Sequence, residues 1–130
     1  MVDELGLSSR IDREQGLKLI EPLGYLDFLA LLRDARLVLT DSGGVQEETT
    51  VLGIPCITLR ENTERPITVE MGTNTIAGSD PQKIVNAASR ALQDYKRPAP
   101  RDIPLWDGHT ADRILDAIVE ESSRVQSAKS

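Results

Sequence analysis

The residues with the most chemical potential fall in one stretch, Leu37-Val-Leu-Thr-Asp-Ser-Gly-Gly-Val-Gln-Glu-Glu48. A short apolar strand ends at Thr40, and a turn with Ser42, Gly43 and Gly44 opens a helix. The first amides of a helix have no internal partners and carry partial positive charge. Paired glycines let a phosphate approach those amides closely, and the Ser42 hydroxyl adds a donor. That is the chemistry of a diphosphate site. The plainer reading is a strand–turn–helix junction in which Ser42 is only a cap.

Other candidates lie around this turn. Glu47 and Glu48 point about 100° apart on a helix, so they cannot serve one group of ligand atoms. Glu48 is about 9 Å along the helix from Ser42, at 1.5 Å per residue. A carboxylate there is far enough from a diphosphate to accept hydrogen bonds from ribose hydroxyls. Glu47 reads as a solvated first-turn acid suited to the helix dipole. Arg60 and Arg65 follow the next apolar run, Cys56–Leu59, on the side where a ligand belongs. Either can neutralise phosphate, or pair with Glu61 or Glu64 on a loop. Phe28 is a base-stacking candidate or a core residue. His109 is the one histidine. It has no neighbouring ligand types, so it reads as a cap or surface residue and no metal site is expected. Cys56 reads as a buried, inert thiol.

The elements that must position these groups follow from periodicity. Strands are predicted at Leu17–Ile20, Leu37–Leu39, Cys56–Leu59 and Asn74–Ala77, starting roughly 18–20 residues apart, which leaves room for helical crossovers. Helices are predicted over 25–35, 43–52 with Gly53 as the stop, and from Pro81 behind an Asp80 cap. The last runs over 109–121 on the stripe Ala111, Ile114, Leu115, Ile118, Val119. Short apolar strands alternating with helices imply an α/β fold: a Rossmann-like, three-layer parallel sheet with ligands at the strands' carboxyl ends. The expected organisation is one domain over residues 1–121 and a polar, frayed tail over 122–130.

With 130 residues and 39% apolar composition, one packed core is expected. One Trp, two Tyr and one Phe leave that core to Leu, Ile, Val and Ala. A net charge of −6 without basic clusters argues against nucleic acid as a partner. The single cysteine excludes an internal disulfide. No signal pattern opens the sequence, and no run approaches the roughly 20 apolar residues of a membrane span. A cytoplasmic location is the expectation.

Taken jointly, Pro22-Leu-x-Tyr25, the Leu-Thr-Asp-Ser-Gly-Gly-x-Gln-Glu-Glu48 run, Gly53-x-Pro55, Leu59-Arg-x-x-Thr-Glu-Arg-Pro66, Gly72 and Ile76-Ala-Gly78 resemble the non-hydrolysing UDP-N-acetylglucosamine 2-epimerases. The resemblance covers residues 17–120. It implies the C-terminal domain of a GT-B architecture, in which two Rossmann-like domains hold a UDP-sugar in their cleft. It implies interconversion of UDP-GlcNAc and UDP-ManNAc: UDP is eliminated to leave 2-acetamidoglucal, C2 is reprotonated, and UDP adds back. By the resemblance, Ser42, Gly43 and Gly44 hold the diphosphate, Glu48 the ribose, Phe28 the uracil, and Arg65 faces the phosphate or sugar; Arg60 is a weaker candidate. The family's acid and base residues come mainly from the N-terminal domain and the segment before the second domain. None has a counterpart here, so no catalytic residue is assigned and this chain alone is expected to be inactive. The expected partners are UDP, UDP-GlcNAc, the N-terminal domain in cis or trans, and a second copy in the complete enzyme. No cofactor is expected, and the pathway implied is cell-surface polysaccharide biosynthesis. Thr49 stands where the family often has alanine, and Leu105-Trp-Asp-Gly108 where it often has Tyr-Gly-Asp-Gly.

Two rivals share much of this pattern: the donor-nucleotide half of a GT-B glycosyltransferase, and a non-catalytic nucleotide-sugar-binding module. The Thr63-Glu-Arg-Pro66 block favours the epimerases over the first.

Overall fold

The computed structural model describes residues 6, 7, 11, 13–96, 99 and 102–128. The chain divides into two units, Met1–Ala30 and Leu31–Ser130.

In the first unit the predicted strand at Leu17–Ile20 does not form. Among the described residues these have no ladder partner, and Leu17, Leu19 and Ile20 are 56%, 67% and 56% exposed. An apolar run becomes a strand only where a neighbour takes its amides and carbonyls; here the Leu17 N–H turns back to the Glu14 carbonyl at 3.2 Å. Helix α1 starts at Tyr25 as predicted, with Phe28 N–H bonded to the Gly24 carbonyl at 2.9 Å. It spans Tyr25–Arg33 and crosses into the second unit, stopping short of the predicted Ala35.

The second unit holds a parallel sheet of three strands, β1 (Val38–Thr40), β2 (Cys56–Thr58) and β3 (Asn74–Ile76), in the order β1-β2-β3. Val38 pairs with Cys56 and Cys56 with Asn74, so these side chains share a face with Thr58, while Ile57 points to the other. Both faces of β2 are buried. Helix α2 (Gly43–Leu52) links β1 to β2 and covers the Cys56 face; the short α3 (Pro66–Glu70) links β2 to β3; α4 (Pro81–Gln93) follows β3 and contacts β2. This is the α/β, parallel-sheet class expected, with three described strands instead of four.

Local chemistry sets the helix ends. Gly53 closes α2 in the left-handed conformation at φ 75°, its N–H bonded to the Thr49 and Thr50 carbonyls. A β-carbon there would also run into the backbone of Ala99. Asp80 caps α4 by accepting the Lys83 N–H at 2.9 Å, with Pro81 in the first turn. The core is aliphatic, as the composition requires: Leu32, Ile54, Ile57, Ala77 and Ile103, with Cys56.

Helix α5 spans Thr110–Ala128, beyond the predicted end at Glu121 and into the expected tail. Residues 122–128 contain neither glycine nor proline. Ser122 and Ser123 donate to the Ile118 and Val119 carbonyls at 2.9 Å each, which accommodates both hydroxyls within the helix. Its apolar stripe is exposed: Ile114, Leu115, Ile118 and Val119 are 55–62% accessible. No described helix is long and apolar enough to cross a membrane.

Candidate functional site

The turn between β1 and α2 sits at the carboxyl end of the sheet. Thr40 Oγ1 accepts the Ser42 N–H at 3.1 Å, which pins the turn. Ser42 is the N-cap of α2, with extended backbone and Oγ accepting from Val45 N–H at 3.5 Å. Its carbonyl accepts the Gln46 N–H at 3.2 Å. The amides of Gly43 and Gly44, at the start of the helix, are then left for an outside acceptor.

Arg65 reaches this turn from the loop after β2. A β-carbon on Gly43 would lie 3.7 Å from Arg65 Cγ and 3.9 Å from Nε. Arg65 Nε stands 3.1 Å from Glu47 Oε1, with the two side chains 46% and 40% exposed. This corrects the reading of Glu47: it lies beyond the first turn of α2, which contains no acid, and it holds Arg65 instead of standing in solvent. A pair this exposed contributes roughly 0–1 kcal/mol. It places the guanidinium beside the start of the helix.

The structure thus brings Ser42, Gly43, Gly44 and Arg65 together. Glu48 is half-buried on the same helix, and among the described residues no hydrogen bond or ion pair engages its carboxylate. Arg60 is not brought to the turn by any contact; its Nη2 is 3.9 Å from Glu64 Oε1 on its own loop. Phe28 is half-buried on α1, in the first unit.

The loop carrying Arg65 rests on a buried polar network that the sequence reading missed. Gln46, Thr58, Thr68 and Asn74 are each at most 5% exposed. Gln46 Oε1 accepts from Thr63 Oγ1 at 2.6 Å and from Asn74 Nδ2 at 3.1 Å. Asn74 Nδ2 also donates to Thr68 Oγ1 at 3.0 Å, and Asn74 Oδ1 accepts from Thr58 Oγ1 at 2.7 Å. The signal available was that Gln46 shares one helix face with Thr49 and Thr50, at spacings usually filled by core side chains. Glu61, expected on a loop surface, accepts from Ser79 N–H at 3.1 Å and from Ser79 Oγ at 3.3 Å. A β-carbon on Gly78 would sit 2.6 Å from Glu61 Oε1 and push the carboxylate aside, and the backbone there, at φ 73°, itself favours glycine.

His109 is a surface residue, with Nδ1 3.1 Å from Asp112 Oδ2. Beside it, Asp107 pairs with Arg113 and accepts the His109 N–H at 3.1 Å. The Arg113 guanidinium first, then that N–H, hold the Asp107 carboxyl at about 2. Cys56 is 1% exposed, and burial pushes its thiol up against the opposing effect of a hydrogen bond with Thr49; it is buried, as expected. Among the described residues no group of three or more His, Cys, Asp or Glu is placed to hold a metal ion.

Comparison with known proteins identifies the family and the fold. The family model described as UDP-N-acetylglucosamine 2-epimerase matches residues 3–119. A UDP-N-acetylglucosamine 2-epimerase of Methanococcus maripaludis is 42% identical over 120 residues, covering 92% of this chain and 32% of the relative. The Methanocaldococcus jannaschii UDP-GlcNAc 2-epimerase in complex with UDP-GlcNAc and UDP superposes with a TM-score of 0.77 at 43% identity, over 92% of this chain and 32% of that one. The S. aureus MnaA–UDP co-structure gives 0.79 at 33% identity, over 94% and 33%. The chain therefore spans about a third of the length of the relatives it matches.

Proposed function

The chain belongs to the UDP-N-acetylglucosamine 2-epimerase family, and from that premise we propose that it is the UDP-binding, C-terminal part of an enzyme interconverting UDP-GlcNAc and UDP-ManNAc. The observation that carries this is Arg65 lying against Gly43 at the uncovered start of α2. When the bond from the sugar's C1 to the diphosphate breaks, its electrons go to the β-phosphate, which gains negative charge. Preoriented amides and a guanidinium at that point stabilise the leaving UDP, and do so again when it adds back.

In this reading Ser42, Gly43 and Gly44 hold the diphosphate, Arg65 neutralises it, and Glu48 takes the ribose hydroxyls. Phe28 is assigned to the uracil by the resemblance alone. Arg60 is a secondary phosphate contact, reached only by leaving Glu64. Proton removal at C2 and donation to the leaving group need a positioned base and acid. Those belong to the N-terminal part of the enzyme, in cis or trans, and a second copy completes the assembly. The enzyme works in the cytoplasm and supplies cell-surface polysaccharide biosynthesis; the support for both is the nucleotide-sugar chemistry.

Titration calorimetry with UDP and with uridine tests the proposal. Binding of UDP that is much tighter than that of uridine, and that falls toward the uridine level but stays measurable in Arg65→Ala, is expected. Equal affinity for the two ligands would mean that no diphosphate site exists at this turn.

A further inference from the structure

Arg65 has a long side chain on an exposed loop, and a guanidinium there ordinarily samples many positions. Its backbone, however, is held at both polar groups. The Arg65 N–H donates to Thr63 Oγ1 at 2.9 Å, and the Arg65 carbonyl accepts from Thr68 Oγ1 at 2.7 Å. Both hydroxyls lead to one atom. Thr63 Oγ1 donates to Gln46 Oε1, and Asn74 Nδ2 bridges Thr68 Oγ1 to the same Gln46 Oε1. Gln46 is 1% exposed and sits one turn into α2, the helix whose first amides form the candidate phosphate site.

We propose that Gln46 is a positioning residue for Arg65: its side-chain oxygen fixes the Thr63–Arg65 loop relative to the start of α2, and so sets where the guanidinium meets the diphosphate. The assignment of Arg65 to the diphosphate is that of the proposed function, and the inference rests on it. A buried cluster of amides and hydroxyls is a costly way to fill a core, because every member must be satisfied and apolar side chains pack without that condition. What such a cluster supplies is a single arrangement. Here every bond from Gln46 Oε1 leads to the backbone on either side of the Arg65 side chain, while the Glu47–Arg65 pair closes the same loop from the surface. The connection is thus between helix start and arginine, the two halves of the diphosphate site.

The test uses Gln46→Leu, which removes the acceptor, and Thr63→Val, which removes one hydroxyl from the route at nearly constant shape. Thr63→Ser is the conservative rescue. Each is measured for UDP and uridine binding, alone and combined with Arg65→Ala. The expected result is a loss of UDP affinity of roughly fivefold or more in Gln46→Leu and Thr63→Val, part of a charge-assisted bond. Uridine binding should stay within about twofold, Thr63→Ser should behave as wild type, and neither loss should persist once Arg65 is alanine, because coupled residues are non-additive. Equal losses for UDP and uridine, or losses that add to that of Arg65→Ala, would overturn the inference while leaving the UDP site intact. A second readout does not need UDP at all. The Arg65 Nε–H resonance in 15N NMR should be distinct in wild type and Thr63→Ser and averaged toward solvent-exposed arginine in Gln46→Leu and Thr63→Val. An unchanged Arg65 signal in both variants would refute the positioning role. Failure of the wild type to bind UDP would instead remove the proposed function on which the inference stands.

Discussion

Replacing Gly43 with valine should separate ligand binding from folding. A β-carbon on Gly43 meets only Arg65 Cγ and Nε, at 3.7 Å and 3.9 Å, both ordinary contacts. Alanine therefore fits without displacing anything. The two methyls of valine reach further and push on a half-exposed guanidinium that has room to move. The effect on stability should stay within about 1 kcal/mol, the range that helix propensity spans for such residues. The effect on UDP is larger, because the side chain occupies the approach to the Gly43 and Gly44 amides. Each charge-assisted hydrogen bond lost removes about 1.5–3 kcal/mol. Losing one weakens binding roughly tenfold to somewhat over a hundredfold. Calorimetry with UDP and thermal melts without it should give a nearly unchanged melt for Gly43→Val, strongly reduced UDP affinity, and an intermediate affinity for Gly43→Ala. If Gly43→Val binds UDP as tightly as wild type, the diphosphate does not sit at this turn.

Glu48→Ala should weaken UDP binding, whereas Glu47→Gln should leave it unchanged or tighten it by up to about fivefold, since it frees Arg65 from an exposed pair worth at most about 1 kcal/mol; the reverse order would reassign both carboxylates. Asp107 is held at about 2 by Arg113 and the His109 N–H. Because its value is depressed, the stabilising contact is present above the ordinary carboxylate range near 3.8 and is lost as pH falls through about 2. A carboxyl 13C titration of Asp107 should move upward in Arg113→Ala, and an unmoved midpoint would deny the pairing. Cys56 should resist iodoacetamide at neutral pH until the protein unfolds, and rapid native-state alkylation would contradict its burial. The 130-residue chain alone should not epimerise UDP-GlcNAc. Deuterium entering C2 in D2O, followed by proton NMR, would show that it carries acid–base groups of its own.

What was legible in the sequence was what short-range chemistry decides. The limits of α2 could be read because Ser42 caps one end and Gly53 takes the left-handed conformation at the other. The start of α4 followed from Asp80 and Pro81 in the same way. The paired glycines at the end of an apolar strand marked the candidate site for a similar reason, since strand, turn and helix start are consecutive. The Leu17–Ile20 strand misled because an apolar run reports burial demand, while a strand also needs a partner for its backbone. The end of α5 misled because polar residues were read as fraying, though nothing in 122–128 breaks a helix.

The contacts that give the site its geometry are of another kind. Gln46 meets Thr63 and Asn74 from 17 and 28 residues away. No local rule links a glutamine after two glycines to an asparagine that opens β3. The link exists because a parallel sheet returns each strand to the same end, so that side chains two residues apart on β2 and β3 share the face that α2 covers. Once the register that pairs Asn74 with Cys56 is known, Asn74 falls on the face that α2 covers, and an amide buried there needs acceptors and donors from that helix and from the loops around it. The same topology brings Arg65, after β2, to Gly43, after β1. The motif residues could be found one by one, but that Arg65 is anchored from beneath by Gln46 and held from above by Glu47 is a property of the crossovers and not of any single stretch.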